Sequence, residues 1–328
     1  MAIAAVRAAD EAVTAGLDFL CARQSPEGCW TDWDLPPGRS SMWTTAYVGC
    51  QLAGLRPSLR TAMSGSIRRA AAWLAEHELA DGGWGYDATV GCDADSSGHA
   101  IIALTRSGAP VRGRSRLRLE SFQHPDGGFS TYGAGDGLGS WCFSHPDVTP
   151  VAAHALLLTR GGGHLAVARA VDYVTRRRNH DGLWDSFWWS TPLYATRASL
   201  VFLAAARARI DLAPTRASLL EIEARSAFER ALLVDCLLVA GVTRSTNELV
   251  GILVREQLDD GSWSSVPSLR IPDRTCATPW QESEAGVLYA DTDRLFTSAT
   301  VLGALARTTA VRAERRKIRS ARSSAVRC

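Results

Sequence analysis

Apolar residues recur at helical spacing along most of the chain, and the helical runs come in pairs separated by a short polar turn. The first pair has a run ending at Phe19-Leu20, then Gln24-Ser-Pro-Glu-Gly28-Cys-Trp30, then a run from Ser41-Met-Trp43 to Leu55. The second has Ile67 to Leu79, the turn Asp81-Gly82-Gly83-Trp84, and a helix after Cys92. The third has Leu117 to Phe122, a turn from Gln123 through Gly127 to Phe129, and a helix opening at Asp147-Val-Thr-Pro. The fourth has Val167 to Arg178, the turn Asp181-Gly182-Leu-Trp184, and Leu193 to Ala206. Thr215 to Gly241 holds two apolar runs without such a turn. The last pair has Glu248 to Glu256, a turn from Gln257 through Gly261 to Trp263, and a helix after Asp291 that reaches Leu305.

Such self-similarity predicts a repeat architecture in which each unit buries one face against its neighbours. Six pairs predict an all-α fold, an (α/α)6 barrel of helical hairpins with an inner and an outer ring. The turn glycine permits a conformation that other residues resist. The aromatic ring is expected to pack on the end of the following helix, and the Gln amide to bond exposed backbone. The inner helices would start at one mouth, gathering Asp93, Asp95, Asp147, Trp188, Tyr194 and Asp291 around one cavity.

Composition adds little to this and excludes some alternatives. The chain has 328 residues, 46% of them hydrophobic, and no linker divides it. We read residues 1–310 as one barrel domain. From Arg307 to Arg327 there are eight basic residues and one acid, so 311–328 reads as a basic, disordered tail. A weak contact with anionic lipid headgroups is a second reading of that tail. Net charge is +2 and gives no reason to expect a nucleic-acid partner. Eight cysteines lack CxxC spacing and several lie in apolar runs, which points to reduced thiols in a cytoplasmic protein. No signal-peptide pattern opens the chain, and no apolar run reaches the ~18 residues of a membrane span.

The stretch Cys92-Asp93-Ala-Asp95-Ser96-Ser-Gly-His99 carries the candidate chemistry. Its residue types cap a helix N-terminus, and its two acids stand two residues apart at that helix start. Two neighbouring carboxyl groups cannot both ionise cheaply, so one keeps its proton. Asp95 is taken as the acid, with Asp93, Ser96, Asp147 and His154 as its supporting groups. Trp43, Trp141, Phe143, Trp188, Tyr194 and Phe296 are candidates for an aromatic wall able to stabilise a cation.

The repeated Gln-x-x-x-Gly-x-Trp turns, with Asp93-Ala-Asp95-Ser96, resemble the squalene–hopene cyclase and class II terpene cyclase superfamily over roughly Leu17 to Leu305. The family's Asp-x-Asp-Asp motif puts its proton donor at Asp95, with Ser96 in place of the last Asp. Asp147-Val-Thr resembles a stretch whose Asp and His support the donor. Here Val151 falls at the His position and His154 lies further on. Segments around Trp43, Trp188 and Tyr194 resemble that family's aromatic wall. The resemblance implies a protonation-initiated cyclase of a linear polyprenyl chain, such as a prenylated aromatic or a sesqui- to diterpene-length substrate. It implies no metal, Mg2+ entering only with a diphosphate substrate. The chain lacks an Asp-Asp-x-x-Asp run and the Asp, Cys and His trio of the protein prenyltransferases. A non-catalytic prenyl-binding barrel is the alternative, favoured by Ser96 and Val151. A toroid acting on polysaccharide is a weaker reading, because acids are not paired along a groove.

Overall fold

In the computed structural model, residues 2–282 and 284–325 are described, with side chains between residues 8 and 311. The helices are α1 (Ala2–Ala22), α2 (Met42–Ala53), α3 (Pro57–Ala62), α4 (Ser64–Glu76), α5 (Ala94–Ser107), α6 (Gly113–Glu120), α7 (Thr149–Arg160), α8 (Leu165–Arg176), α9 (Leu193–Ala205), α10 (Ala213–Glu221), α11 (Ala227–Val239), α12 (Thr246–Arg255) and α13 (Leu295–Ala325). Two small antiparallel hairpins join them: β1 (Asp32–Leu35) with β2 (Gly38–Ser40), and β3 (Leu269–Pro272) with β4 (Gly286–Tyr289). The apolar pattern did not announce these strands, because each is only three or four residues long.

The expected ring is present. Helices α2, α5, α7, α9, α11 and α13 each touch the next, and α13 closes against α2. Every residue of α2 is buried, as an inner helix requires. The outer helix α8 instead buries a stripe, Val167, Ala170, Tyr173 and Val174, at helical spacing.

The turns fasten this ring by a repeated set of hydrogen bonds. The indole N–H of Trp30, Trp84, Trp184 and Trp263 donates to the carbonyl of Leu20, Leu74, Val174 and Leu253. The indole N–H therefore ties each ring back to the preceding outer helix. The aromatic residue's backbone N–H reaches the following inner helix, donating to the hydroxyl of Thr45, Ser97, Thr149, Thr196 or Ser298. The Gln amides join neighbouring hairpins: Gln24 to Ser66 O, Gln123 to Ala166 O and Gln257 to Ala12 O. Gly261, at φ 85°, shows why the glycine is required. A Cβ there would lie 2.3 Å from the Ala15 carbonyl oxygen of α1.

Each hairpin rises in the outer ring and returns in the inner one, so all inner helices start at the same mouth. The connections there are mostly long, with residues 121–148 and 256–294 the longest, while those at the other end are short. The long connections roof the mouth. The C-terminal segment differs from expectation: 311–325 continue α13 as helix, in line with the helix propensity of their many Ala and Arg residues. Residues 326–328 of the expected tail lie outside the described residues.

Candidate active site

Asp93 is the N-cap of α5, in extended conformation. Its Oδ1 accepts from the Ser96 backbone N–H at 2.7 Å and its Oδ2 from the Ser96 hydroxyl at 2.6 Å. The cap therefore occupies both Asp93 oxygens. Asp95, in the first turn of the same helix, is left for other work. Its Oδ2 accepts from the indole N–H of Trp43, at the start of neighbouring α2, at 2.8 Å. Its Oδ1 is buried and has no hydrogen-bond partner. Asp147 stands just before α7; its Oδ2 accepts from the Trp188 backbone N–H at 2.8 Å and its Oδ1 is unpartnered.

These three carboxyl groups line one cavity of about 390 Å³. Burial raises the pKa of each to about 7, opposed at Asp93 by the Ser96 hydrogen bonds, at Asp95 by Trp43 and at Asp147 by Trp188. The charge of Asp95 adds to the burden of its neighbours, lifting both Asp93 and Asp147.

The walls are aromatic. Trp43, Tyr86, Tyr132, Trp141, Trp188, Trp189 and Tyr194 all line the cavity. Trp189 stacks on Tyr194 with centroids 4.3 Å apart, and Trp141 meets Trp188 edge-on at 5.2 Å. The Trp188 indole N–H donates to Thr131 Oγ1, which also bonds His145 Nδ1 at 3.0 Å. His145 Nε2 bonds the Ser140 carbonyl, so that ring carries its proton on Nε2, and burial lowers its pKa to about 3. The β1–β2 turn (Leu35, Pro36, Pro37) and β3 (Leu269, Ile271) form the roof. Arg274 is the one cation on the cavity lining, exposed and stacked over Trp141 at 5.0 Å.

Of the residues singled out in the sequence, Asp93, Asp95, Ser96, Asp147, Trp43, Trp141, Trp188 and Tyr194 thus meet here. Four others stand elsewhere. Phe143 is 54% exposed, carried outward at the end of a 3-10 turn. Phe296 is buried behind the wall, stacked on Tyr47 at 3.5 Å and packed against Trp43 and Trp189. Asp291 caps α13 by accepting from the Thr297 N–H and hydroxyl. His154 lies too far down α7, at ~1.5 Å per residue, and lines a second cavity.

His99 is the histidine that adjoins the acid. One turn below Asp95 on α5, its Nδ1 bonds the Asp95 carbonyl at 3.0 Å and lies 3.6 Å from Asp95 Oδ1. Burial lowers its pKa to about 4, so the contact is with a neutral ring. Its i, i+4 spacing from Asp95 was the available signal. Tyr86 and Tyr132 follow turn aromatics by two and three residues, a cue of the same kind. Among the described residues no group of three His, Cys, Asp or Glu side chains could hold a metal ion, and no helix is long and apolar enough to cross a membrane.

The family model of the squalene-hopene cyclase C-terminal domain matches residues 1–110. Drimenyl diphosphate synthase of Streptantibioticus cattleyicolor is 32% identical over 120 residues, which are 36% of this chain and 23% of that protein. Squalene–hopene cyclase of Bradyrhizobium diazoefficiens is 28% identical over 179 residues, 53% of this chain and 19% of that protein. The matches thus span about a quarter and a fifth of these relatives' lengths. Type II terpene cyclase MstE from Scytonema, solved with its product merosterolic acid A, superposes with a TM-score of 0.83 at 25% identity, covering 94% of this chain and 99% of that one. The same cyclase was solved with geranylgeranyl dihydroxybenzoate as substrate. The chain thus resembles the squalene-hopene cyclase C-terminal domain over residues 1–110, and its helical ring is similar to that of the type II terpene cyclase MstE.

Proposed function

We propose that this chain is a class II terpene cyclase that folds a linear polyprenyl chain in the aromatic cavity and starts ring closure by proton transfer from Asp95. The observation that carries the reading is the Asp95 carboxyl group, burdened by burial, opening on a cavity walled by seven aromatic rings. With a pKa raised by burial to about 7, a substantial share of it is present as the acid under neutral conditions. Its proton goes to an alkene carbon: a C–H bond forms, the π-bond breaks, and the neighbouring carbon becomes cationic. The Trp43 indole N–H stabilises the carboxylate left behind. Each aromatic face attracts the cation by roughly 0.5–2 kcal/mol, and a dry wall delays quenching by water. Further alkenes of the chain close rings until a proton is lost. Asp93 and Ser96 hold the first turn of α5, and Asp147 holds the Trp188 backbone.

The cation on the cavity lining bears on the substrate class. Arg274 at the rim suits an anionic head, a carboxylate or a diphosphate, on a prenylated aromatic or a sesqui- to diterpene-length chain. Proton transfer from Asp95 uses the chain's own groups, and Mg2+ has a part only as companion of a diphosphate head. The test is incubation in deuterated water with farnesyl diphosphate, geranylgeranyl diphosphate and geranylgeranyl dihydroxybenzoate, read by mass spectrometry. A cyclic isomer carrying one deuterium is expected. Unchanged lipid across the panel would overturn the reading and leave a prenyl-binding barrel.

A further inference from the structure

A second cavity, of about 620 Å³, lies toward the C-terminal ends of the inner helices. Four guanidinium groups line it, those of Arg60, Arg106, Arg197 and Arg307, against one carboxylate, Asp235. Asp235 is 2% exposed and accepts from both Arg197, at 3.0 Å, and Arg307, at 2.7 Å. It offsets one of those charges. Arg60 and Arg106 meet no carboxylate among the described residues, and the side-chain hydrogen bond Arg106 makes is to the Cys50 thiol at 3.8 Å. Neither is occupied with helix ends. Carbonyls of the last turns, Cys50, Gln51 and Leu52 in α2 and Leu104 and Thr105 in α5, accept from the backbone N–H of Gly54 and Gly108. His154, only 8% exposed, also lines this cavity and bonds no described residue. Both it and His99 are held neutral by burial and by the arginines around them.

We propose that this second cavity is a binding site for a diphosphate-bearing anion, gripped by Arg106 and Arg60 with Arg197 and Arg307 behind them. Four guanidinium groups in one cleft against one carboxylate among the described residues focus the field on an anion. Guanidinium groups present paired donors that fit phosphate oxygens, and His154 adds an unused polar atom. Ile102, Val151, Val201 and Leu238 supply apolar wall beside the charges, enough to cover part of a hydrocarbon tail. Two sources share this chemistry: free inorganic diphosphate and the head group of a prenyl diphosphate. The inference does not rest on the cyclase reading.

The test is calorimetric titration of the full chain with inorganic diphosphate at low ionic strength. A site is expected that Arg106→Gln weakens about tenfold or more, whether or not the first cavity also takes the anion. Arg274→Gln, at the rim of the first cavity, should leave it unchanged. Should Arg106→Gln fail to fold, by circular dichroism, the exposed Arg60→Gln serves in its place. In the Arg274→Gln background, farnesyl diphosphate that binds more tightly than inorganic diphosphate, by a margin that Arg106→Gln removes, identifies a prenyl source; equal affinity at the Arg106-dependent site identifies the free anion. Absence of binding to the unmodified chain at millimolar concentration overturns the proposal. So does binding that Arg274→Gln abolishes and Arg106→Gln leaves intact.

Discussion

The indole N–H of Trp43 points at Oδ2 of Asp95 from 2.8 Å away, joining the first turns of two neighbouring inner helices. It is the one hydrogen bond that carboxyl receives among the described residues, since Oδ1 has none. Trp43→Phe keeps an aromatic ring in the wall and deletes only this donor. A hydrogen bond to a charged group contributes about 1.5–3 kcal/mol, so turnover should fall roughly 10- to 100-fold. The carboxylate also becomes harder to form, so the alkaline limb of the pH profile should move upward. Unchanged turnover would show that the indole is only packing.

The pH dependence has a definite sign. Burial holds Asp93, Asp95 and Asp147 near 7, where an exposed aspartate would sit at 3.8. A proton donor works only while protonated. Turnover should therefore be sustained in mild acid and fall as pH rises through about 7, with apparent values that belong to the three interacting acids together. A rate profile rising through neutrality would mean that a base, and not an acid, starts the reaction.

The same shift makes Asp95 a cost to the fold. Between the unfolded value of 3.8 and the folded value near 7, the folded chain holds protons that the unfolded chain has released. Stability thus declines as pH rises across that window. Asp95→Asn removes the ionisable group while keeping its shape. It should lower turnover by roughly 10²- to 10⁴-fold. It should also raise the melting temperature at alkaline pH, and do so less at pH 4. A loss of stability at both pH values would point to a structural role instead.

The hairpins were legible in the chain because their fastening is local. Gln24 and Trp30 are six residues apart, and the bonds they make require that spacing. Asp95 was legible for the same reason, as a first-turn acid outside the cap that Asp93 and Ser96 form. The wall was only partly so. Whether a residue near a helix start faces the cavity depends on how that helix is rotated against its neighbours, which places Trp43 on the lining and Phe296 behind it. The histidine shows the same limit: His99 and His154 sit on adjacent inner helices, and only packing decides which meets the acid. The roof could not be foreseen, since β3 touches Trp189 across 80 residues of chain.

The ring's seam offers a stability test free of the chemistry. Gln257 donates to Ala12 O and Gly261 O, each at 2.9 Å, joining the last hairpin to the first. Gln257→Ala leaves both carbonyls without that donor and should cost about 1–3 kcal/mol in denaturant titration. Gln24→Ala, within the ring, should cost a similar amount, because its amide makes the equivalent pair of bonds. A cost confined to one of the two would show that the hairpins are not equivalent.

Arg270 gives the wall its own test. Its side chain is buried, and its guanidinium donates to the carbonyls of Trp189, Pro279 and Ser186, with no carboxylate at ion-pair distance among the described residues. Its backbone N–H also donates to the Trp188 carbonyl. A buried cation bound only to carbonyls is costly, and burial lowers its pKa accordingly. What the arrangement secures is the backbone of Trp188 and Trp189, two rings of the cavity wall. Arg270→Met fills much of the space without the donors. The barrel should stay folded, since its fastenings lie in the turns, while the two indoles lose their fixed placement. Turnover should fall less than in Asp95→Asn, and the product mixture should broaden toward partly cyclised and water-quenched compounds, read by gas chromatography with mass spectrometry. A single unchanged product at full rate would show that the wall is held by its ring contacts alone, Trp189 by its stack on Tyr194 and Trp188 by its edge against Trp141.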